Sequence, residues 1–330
     1  MVRRTRYFLF GSVAVLLIGL CAGLVAYYGG LPMGALARRT LPAELEYVPA
    51  DAALVAYANV HDVMQSDLRE RLRHAAPAKE EGQAEFERHT GISIERDIDH
   101  IVAFVTRIPG DERHHGMVLA SGRFDSAKLE ALALEHGGKA ETYNGTRLVT
   151  RPGDSERDSD LTLAFVSAST IGLGDADSVK AALDRFGGGN VTANEELMTL
   201  IRGVDGGNAW AVGRFDALMD QAKLPPQMAG QMPAIRWFSA SGQVNGGITG
   251  VVRAEARDEE SGRNLREVVQ GFLALARLQA GAKPEIQTLV NSLELTGEGR
   301  NVALRFSVPA EILDSMAPRP PQPPPPPAAR

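Results

Sequence analysis

The sequence predicts an α+β fold: an N-terminal transmembrane helix, then a duplicated α+β ectodomain with antiparallel hairpins and helices packed on the sheet. Three observations predict it. Residues Tyr7 to Tyr28 carry no charged side chain. Downstream, short apolar runs closed by turn residues interleave with segments of helical period. The order of those segments in the first half returns in the second, with Gly-Arg-Phe-Asp at 122–125 and again at 213–216.

The uncharged run comes first. Its 22 residues, as a helix rising about 1.5 Å per residue, reach about 33 Å, enough for a hydrocarbon core of about 30 Å. Arg3, Arg4 and Arg6 precede it, and Arg38 and Arg39 follow. With the terminal amine, the positive-inside rule favours a cytoplasmic N-terminus at 1–6. The expected partner of 7–28 is therefore the lipid bilayer. The expected location is the inner cell membrane, single-pass, with a periplasmic or extracellular ectodomain. The competing reading is a signal peptide cleaved after Ala37, at Ala35-Leu36-Ala37. Signal h-regions run about 7–15 residues, shorter than this run, which favours the uncleaved anchor. Gly19, Ala22, Gly23 and Ala26 share one helical stripe and are candidates for helix association, hence for a homodimer through the span. Chance spacing of common small residues is the plainer reading.

Residues 29–52 read as a linker with Pro32, Pro42 and Pro49. The first α+β repeat is expected at 53–186. It opens with a strand at 54–60 and a helix from His61-Asp62, where a carboxylate favours the free N–H groups. A charged helix at 79–89 precedes strands at 101–108 and 117–122. Asp125 starts the next helix, and Gly137-Gly138 stops it. Asn144-Gly145 signals a hairpin turn. Strands at 161–166 and 170–173 lead to a helix at 175–186, which Gly187-Gly188-Gly189 ends. Residues 187–207 read as a connector.

The second repeat is expected at 208–317. A strand at 209–212 enters a helix through the second Gly-Arg-Phe-Asp. Strands 235–244 and 248–256 form a hairpin around Asn245-Gly246-Gly247. Asp258 begins a long helix whose Leu265, Val268, Val269, Phe272, Leu275, Ala276 and Leu278 give one apolar face. A last hairpin, 293–296 with 302–308, precedes a short helix at Pro309. The tail 318–330 is Pro-rich, with Pro323–Pro327 in a row, and reads as disordered polyproline II.

Composition narrows the function. The chain of 330 residues has a net charge of −6, and residues 41–330 alone carry −11. That balance argues against a nucleic-acid partner. The single cysteine, Cys21, lies in the apolar run, which removes thiolate catalysis and cysteine metal sites from the remainder. No nucleophile elbow, phosphate loop, zinc-protease helix or calcium loop is present, so no catalytic, cofactor-binding or metal-ligating residue is assigned. Gly172-Leu173-Gly174-Asp175 lacks the third glycine of a dinucleotide fingerprint and reads as a capped strand-to-helix turn. His114-His115 reads as a pair of exposed loop histidines. Asp97, Asp99 and His100 with Glu85 and His89 read as a solvated face. Trp210, Trp237 and Phe238 fall on strands; core packing is the default, and convergence on a cleft would make them an apolar ligand site.

The run Leu41-Pro42-Ala43, with Val48-Pro49-Ala50-Asp51-Ala52-Ala53-Leu54-Val55-Ala56-Tyr57, resembles the opening of uncharacterised bacterial single-span membrane-anchored envelope proteins. Asn208 to Asp216 resembles their second half. The resemblance implies an anchored domain and supplies no site residues. The expected function is a membrane-anchored extracytoplasmic interaction protein, non-enzymatic, with a protein partner. The alternatives are a carrier of an apolar ligand or lipid, and a hydrolase with a non-standard site.

Overall fold

The computed structural model describes residues 41–70, 77–107, 115–153, 160–204, 206–215, 234–280, 284–310 and 312. A 3-10 turn, Ala43–Tyr47, precedes β1 (Leu54–Ala58), α1 (Val60–Met64), α2 (Pro77–Thr90) and α3 (Ile94–Asp97). Next come β2 (Ile98–Thr106), β3 (His115–Gly122), α4 (Ser126–Glu135), β4 (Lys139–Tyr143) and β5 (Thr146–Arg151). β6 (Leu161–Phe165), β7 (Thr170–Asp175) and α5 (Ala176–Arg185) follow. A second 3-10 turn, Val191–Ala193, leads to α6 (Glu195–Val204) and β8 (Ala209–Arg214). β9 (Ile235–Val244), β10 (Ile248–Ala256), α7 (Glu259–Gln279), α8 (Pro284–Asn291), β11 (Glu294–Thr296) and β12 (Asn301–Val308) complete the order.

The twelve strands of the described residues join one antiparallel sheet, in the order β11-β12-β10-β9-β8-β1-β2-β3-β7-β6-β5-β4. Its centre is a seam between β1 and β8, with Ala56 opposite Ala211 and Tyr57 opposite Trp210. Outward from the seam the strands run β1-β2-β3-β7-β6 on one side and β8-β9-β10-β12-β11 on the other. The β4–β5 hairpin extends the first side. Its turn has Asn144 at φ 47° and Gly145 at φ 79°, the left-handed pair that a tight hairpin requires.

Local chemistry sets the helix starts. Asn59 accepts the Asp62 N–H, so α1 begins one residue before His61. Asp125, Asp175 and Asp258 cap α4, α5 and α7 in the same way, accepting from Lys128, Ser178 and Ser261. Strand alternation then divides the core into two faces. Val55, Val102, Phe104, Met117, Leu119, Leu148, Trp210 and Val212 pack on one face with Val179 of α5 and Leu197 and Ile201 of α6. Ala56, Ala58, Ile101, Ala103, Val118 and Ala211 pack on the other with Val60, Ile92 and Leu129. On that second face, Leu265 of α7 meets Ile235 and Val302, and Val63 and Leu68 meet Val244, Ile248 and Val308. Helices therefore lie on both sides of the sheet. Segment 187–207 carries α6, whose Leu197, Met198, Ile201 and Val204 are buried.

The expected fold class, a membrane-spanning helix ahead of a duplicated ectodomain, is corrected. The described chain is an α+β unit on one large antiparallel sheet. No helix among the described residues is long and apolar enough to cross a membrane. The 21-residue α7 has the length, but Glu259, Glu260, Arg263, Arg266, Glu267 and Arg277 interrupt it. The run 7–28, with Gly19, Ala22, Gly23 and Ala26, lies outside the described residues, as do Asp216 and the tail 318–330.

Candidate functional site

A buried polar constellation ties the 3-10 turn Ala43–Tyr47 to the sheet. Glu44 is 8% exposed. Its Oε1 accepts from Ser121 Oγ, and its Oε2 lies 3.0 Å from His100 Nε2. Burial pushes the Glu44 carboxyl up, but hydrogen bonds from His100 and Ser121, a backbone bond and the His100 charge bring it down to about 2. An ionised carboxylate donates nothing, so Nε2 is the protonated nitrogen of His100. Ser121 gives its one proton to Glu44; the Thr170 hydroxyl, 3.2 Å away, is then the donor to Ser121. The His100 ring sits 5.8 Å from Tyr57, which stacks on Trp210 at 5.6 Å.

This arrangement clamps a turn to β2, β3 and β7; it does not activate a nucleophile. A serine nucleophile needs a base on its hydroxyl. Here both Ser121 and His100 address the carboxylate between them. Sequence reasoning missed Glu44, Ser121 and Thr170, although a signal existed for two of the strand positions. His100 shares a face with Val102 and Phe104, and Ser121 shares it with Met117 and Leu119, so each is a polar residue at a core-facing place.

A second buried pair corrects the expectation of exposed histidines at 114–115. His115 opens β3, is buried, and sets Nδ1 3.2 Å from Asp175 Oδ1. His114 lies outside the described residues. Asp175 Oδ2 accepts the Gly116 N–H at 2.8 Å, and Oδ1 caps α5 through Ser178 at 3.0 Å. Burial opposes ionisation of Asp175, and the bonds from Ser178, Gly116 and His115 overcome it, holding the carboxyl below its ordinary range. Gly172–Asp175 is thus the end of β7 and a helix cap. In the other acid–histidine group, Glu85, His89 and Asp99 are exposed, Asp97 accepts the Ser93 N–H at 2.8 Å, and His100 turns to Glu44. Among the described residues no group of three or more His, Cys, Asp and Glu is placed to hold a metal ion.

The aromatic candidates do not converge. Trp210 and Trp237 are buried in the same core, and Trp237 Nε1 donates to Glu196 Oε1 at 3.1 Å. Phe238 belongs to the opposite face: it pairs with Gly213, and its ring fills the place a side chain there would take. An open groove of about 310 Å³ lies instead between α7 and the edge strand β11, lined by Gln270, Leu273, Arg277, Leu293, Glu294 and Leu295.

The apolar face of α7 divides in two. Leu265 and Leu273 are buried. Val268, Phe272, Leu275 and Leu278 stand in solvent, Phe272 at 68% and Leu278 at 80% exposure. Val268, Phe272 and Leu275 follow the i, i+4, i+7 spacing of one stripe, flanking the buried arc of the helix.

No family model matches this chain, and no curated protein matches it. Among solved structures it is similar to one described as "Structure of crystal form I of TP0453", with 11% identity and a TM-score of 0.43, over 84% of this chain and 96% of that one. A likeness of that size carries no argument about function.

Proposed function

We propose that this is a non-enzymatic binding protein that docks a protein partner along α7. The observation that supports it is the exposed stripe of Val268, Phe272, Leu275 and Leu278 on a helix whose other flank is buried. Large apolar side chains gathered in solvent mark interaction surfaces, whereas single ones do not. From Val268 to Leu278 the stripe runs about 15 Å at 1.5 Å per residue, the reach of a short apolar helix or strand of a partner. The tryptophans that an apolar-ligand carrier would use are packed in the core, and the groove beside β11 is open to solvent. The Glu44 constellation lacks the serine–base contact of a hydrolase.

A photo-reactive residue at Leu275, in the full chain expressed in cells, tests this. A discrete adduct is expected from position 275, none from a control at Gly188, and none from position 275 once Phe272→Asp is added. The thermal midpoint of Phe272→Asp should match the parent, because that side chain is exposed. Equal adducts from both positions, or an adduct that survives Phe272→Asp, would overturn the reading. An adduct of twice the chain's mass would make the partner a second copy.

A further inference from the structure

We propose that the sheet face opposite α7 holds an oxyanion site of the phosphate class, built on Arg253 of β10 and Arg305 of β12. The register of β9, β10 and β12 generates it. Arg253 stands opposite Ser239 on one side and Ala303 on the other. Arg305 stands opposite Val251, the next residue of β10 on that face. The two guanidinium groups are therefore diagonal neighbours on adjacent strands, within reach of one ligand. The face is the one that carries Trp237, away from α7, since Trp237, Ser239 and Ser241 alternate with Phe238 and Ala240.

Several arginines of this protein are paired with acids. Arg147, Arg236 and Arg300 each reach a carboxylate, at 2.6, 2.6 and 3.3 Å. Neither Arg253 nor Arg305 has a hydrogen bond or ion pair among the described residues. Yet residues 41–330 hold 41 acids against 30 bases. The acids nearest in register do not serve them. Glu255 is engaged by Arg300 at 3.3 Å. Glu294 stands opposite Arg305 on the edge strand and is exposed. Burial and the Arg305 charge both hold the Arg253 guanidinium below its ordinary range, a like-charge cost that an anion would relieve.

Hydroxyls complete the site. Thr249, on the same face and diagonal to Arg305 beside Ser307, is 6% exposed, and its Oγ1 has no partner among the described residues. A buried hydroxyl left without a partner is uncommon and marks a place for an acceptor or donor from outside. Ser239, on β9, stands opposite Arg253, and Ser241 lies across β10 from Arg305. Two guanidinium forks and flanking hydroxyls match a tetrahedral dianion, which takes several donors at once.

Isothermal titration of the full chain with inorganic phosphate tests the assignment, with chloride at equal ionic strength as the blank. A second titration with glycerol phosphate separates a free ion from an organic phosphate as the ligand. Saturable one-site binding is expected, weakened about tenfold or more in Arg253→Gln and in Arg305→Gln. Arg253→Lys should also weaken it, because the fork is lost while the charge stays. Glu294→Gln should tighten it by removing a nearby like charge. Thermal midpoints without phosphate discriminate further. A site residue that repels its neighbour leaves Arg253→Gln as stable as the parent or more so, and a residue that merely holds the fold leaves it less stable. No saturable binding of either phosphate, binding unchanged in both glutamine variants, or a lowered midpoint in Arg253→Gln without loss of binding would overturn the proposal.

Discussion

Glu44 shows how one side chain couples ionisation to the fold. Its carboxylate is inside the protein, and it remains charged because Ser121 and His100 both address it. Glu44→Gln keeps the volume but replaces an anionic acceptor with an amide, so one of the two bonds must weaken. A loss of about 1–3 kcal/mol is expected, the usual penalty of an unsatisfied buried group, and a denaturant melt at neutral pH measures it. The acid limb follows from the same group. Its folded value of about 2 lies below the ordinary 4.5, so its contribution is complete above about 4.5 and is lost as pH falls toward 2. Midpoints recorded from pH 6 down to 2.5 should fall less steeply in Glu44→Gln than in the parent. A backbone test sits at the same scale. A Cβ at Gly174 would meet the Gly116 carbonyl oxygen at 2.4 Å, whereas Gly188 has nothing within 4 Å. Gly174→Ala should cost about 1–3 kcal/mol as an overpacked site, and Gly188→Ala should leave the midpoint unchanged.

Helix α7 teaches the same lesson at the scale of an element. Its apolar period was legible in the sequence, as were its cap at Asp258 and its length. What was not legible is that Leu265 reaches the sheet while Phe272 and Leu275 do not. Period fixes the angular width of an apolar arc; the surface available beneath it fixes how much of that arc is buried, and that surface comes from β9, β10 and β12. Leu265→Ala, which opens a space beside Ile235 and Val302, should cost about 2–5 kcal/mol. Phe272→Ala should cost well under about 1 kcal/mol, since an exposed site away from such features moves stability by a few tenths. Paired urea melts of the two variants check the division. The cap at Asp175 and the Asn144-Gly145 turn were legible for the opposite reason: each is decided within four residues. His115 was misread because its partner Asp175 lies 60 residues further along the chain, beyond the reach of local pattern. Glu44 escaped altogether, since the Ala-Glu-Leu-Glu-Tyr turn has no period to set an inward acid against an outward one.

At the scale of the whole molecule, the hairpins of each half were legible, but the β3–β7 and β10–β12 pairings and the β1–β8 seam were not. The seam's partners are far apart in sequence, and nothing local distinguishes Val55 or Ala211 from a residue on any other central strand. The same holds for the two-sided cover: α6 emerged from a segment that reads as a connector, because its buried stripe is short and follows three glycines. The seam has a mechanical consequence. Val55 and Val212 face each other across it in one core, and Tyr57 stacks on Trp210 from the neighbouring strand at 5.6 Å. Unfolding either side would strip cover from a fully buried tryptophan and leave a central strand with an open edge. The two sides should therefore unfold together. Both tryptophans, Trp210 and Trp237, lie on β8 and β9, but Trp210 also packs on Tyr57 of β1. In a Trp210→Phe background the fluorescence of the remaining Trp237 reports the β8–β9 side, while far-ultraviolet circular dichroism reports all the strands and helices. The two signals should trace one urea transition with a single midpoint. Val55→Ala, on the opposite side of the seam, should move the fluorescence midpoint as far as the circular dichroism midpoint. A fluorescence transition that stays in place while circular dichroism shifts would mean that the sides fold independently and that the seam is a contact between two units.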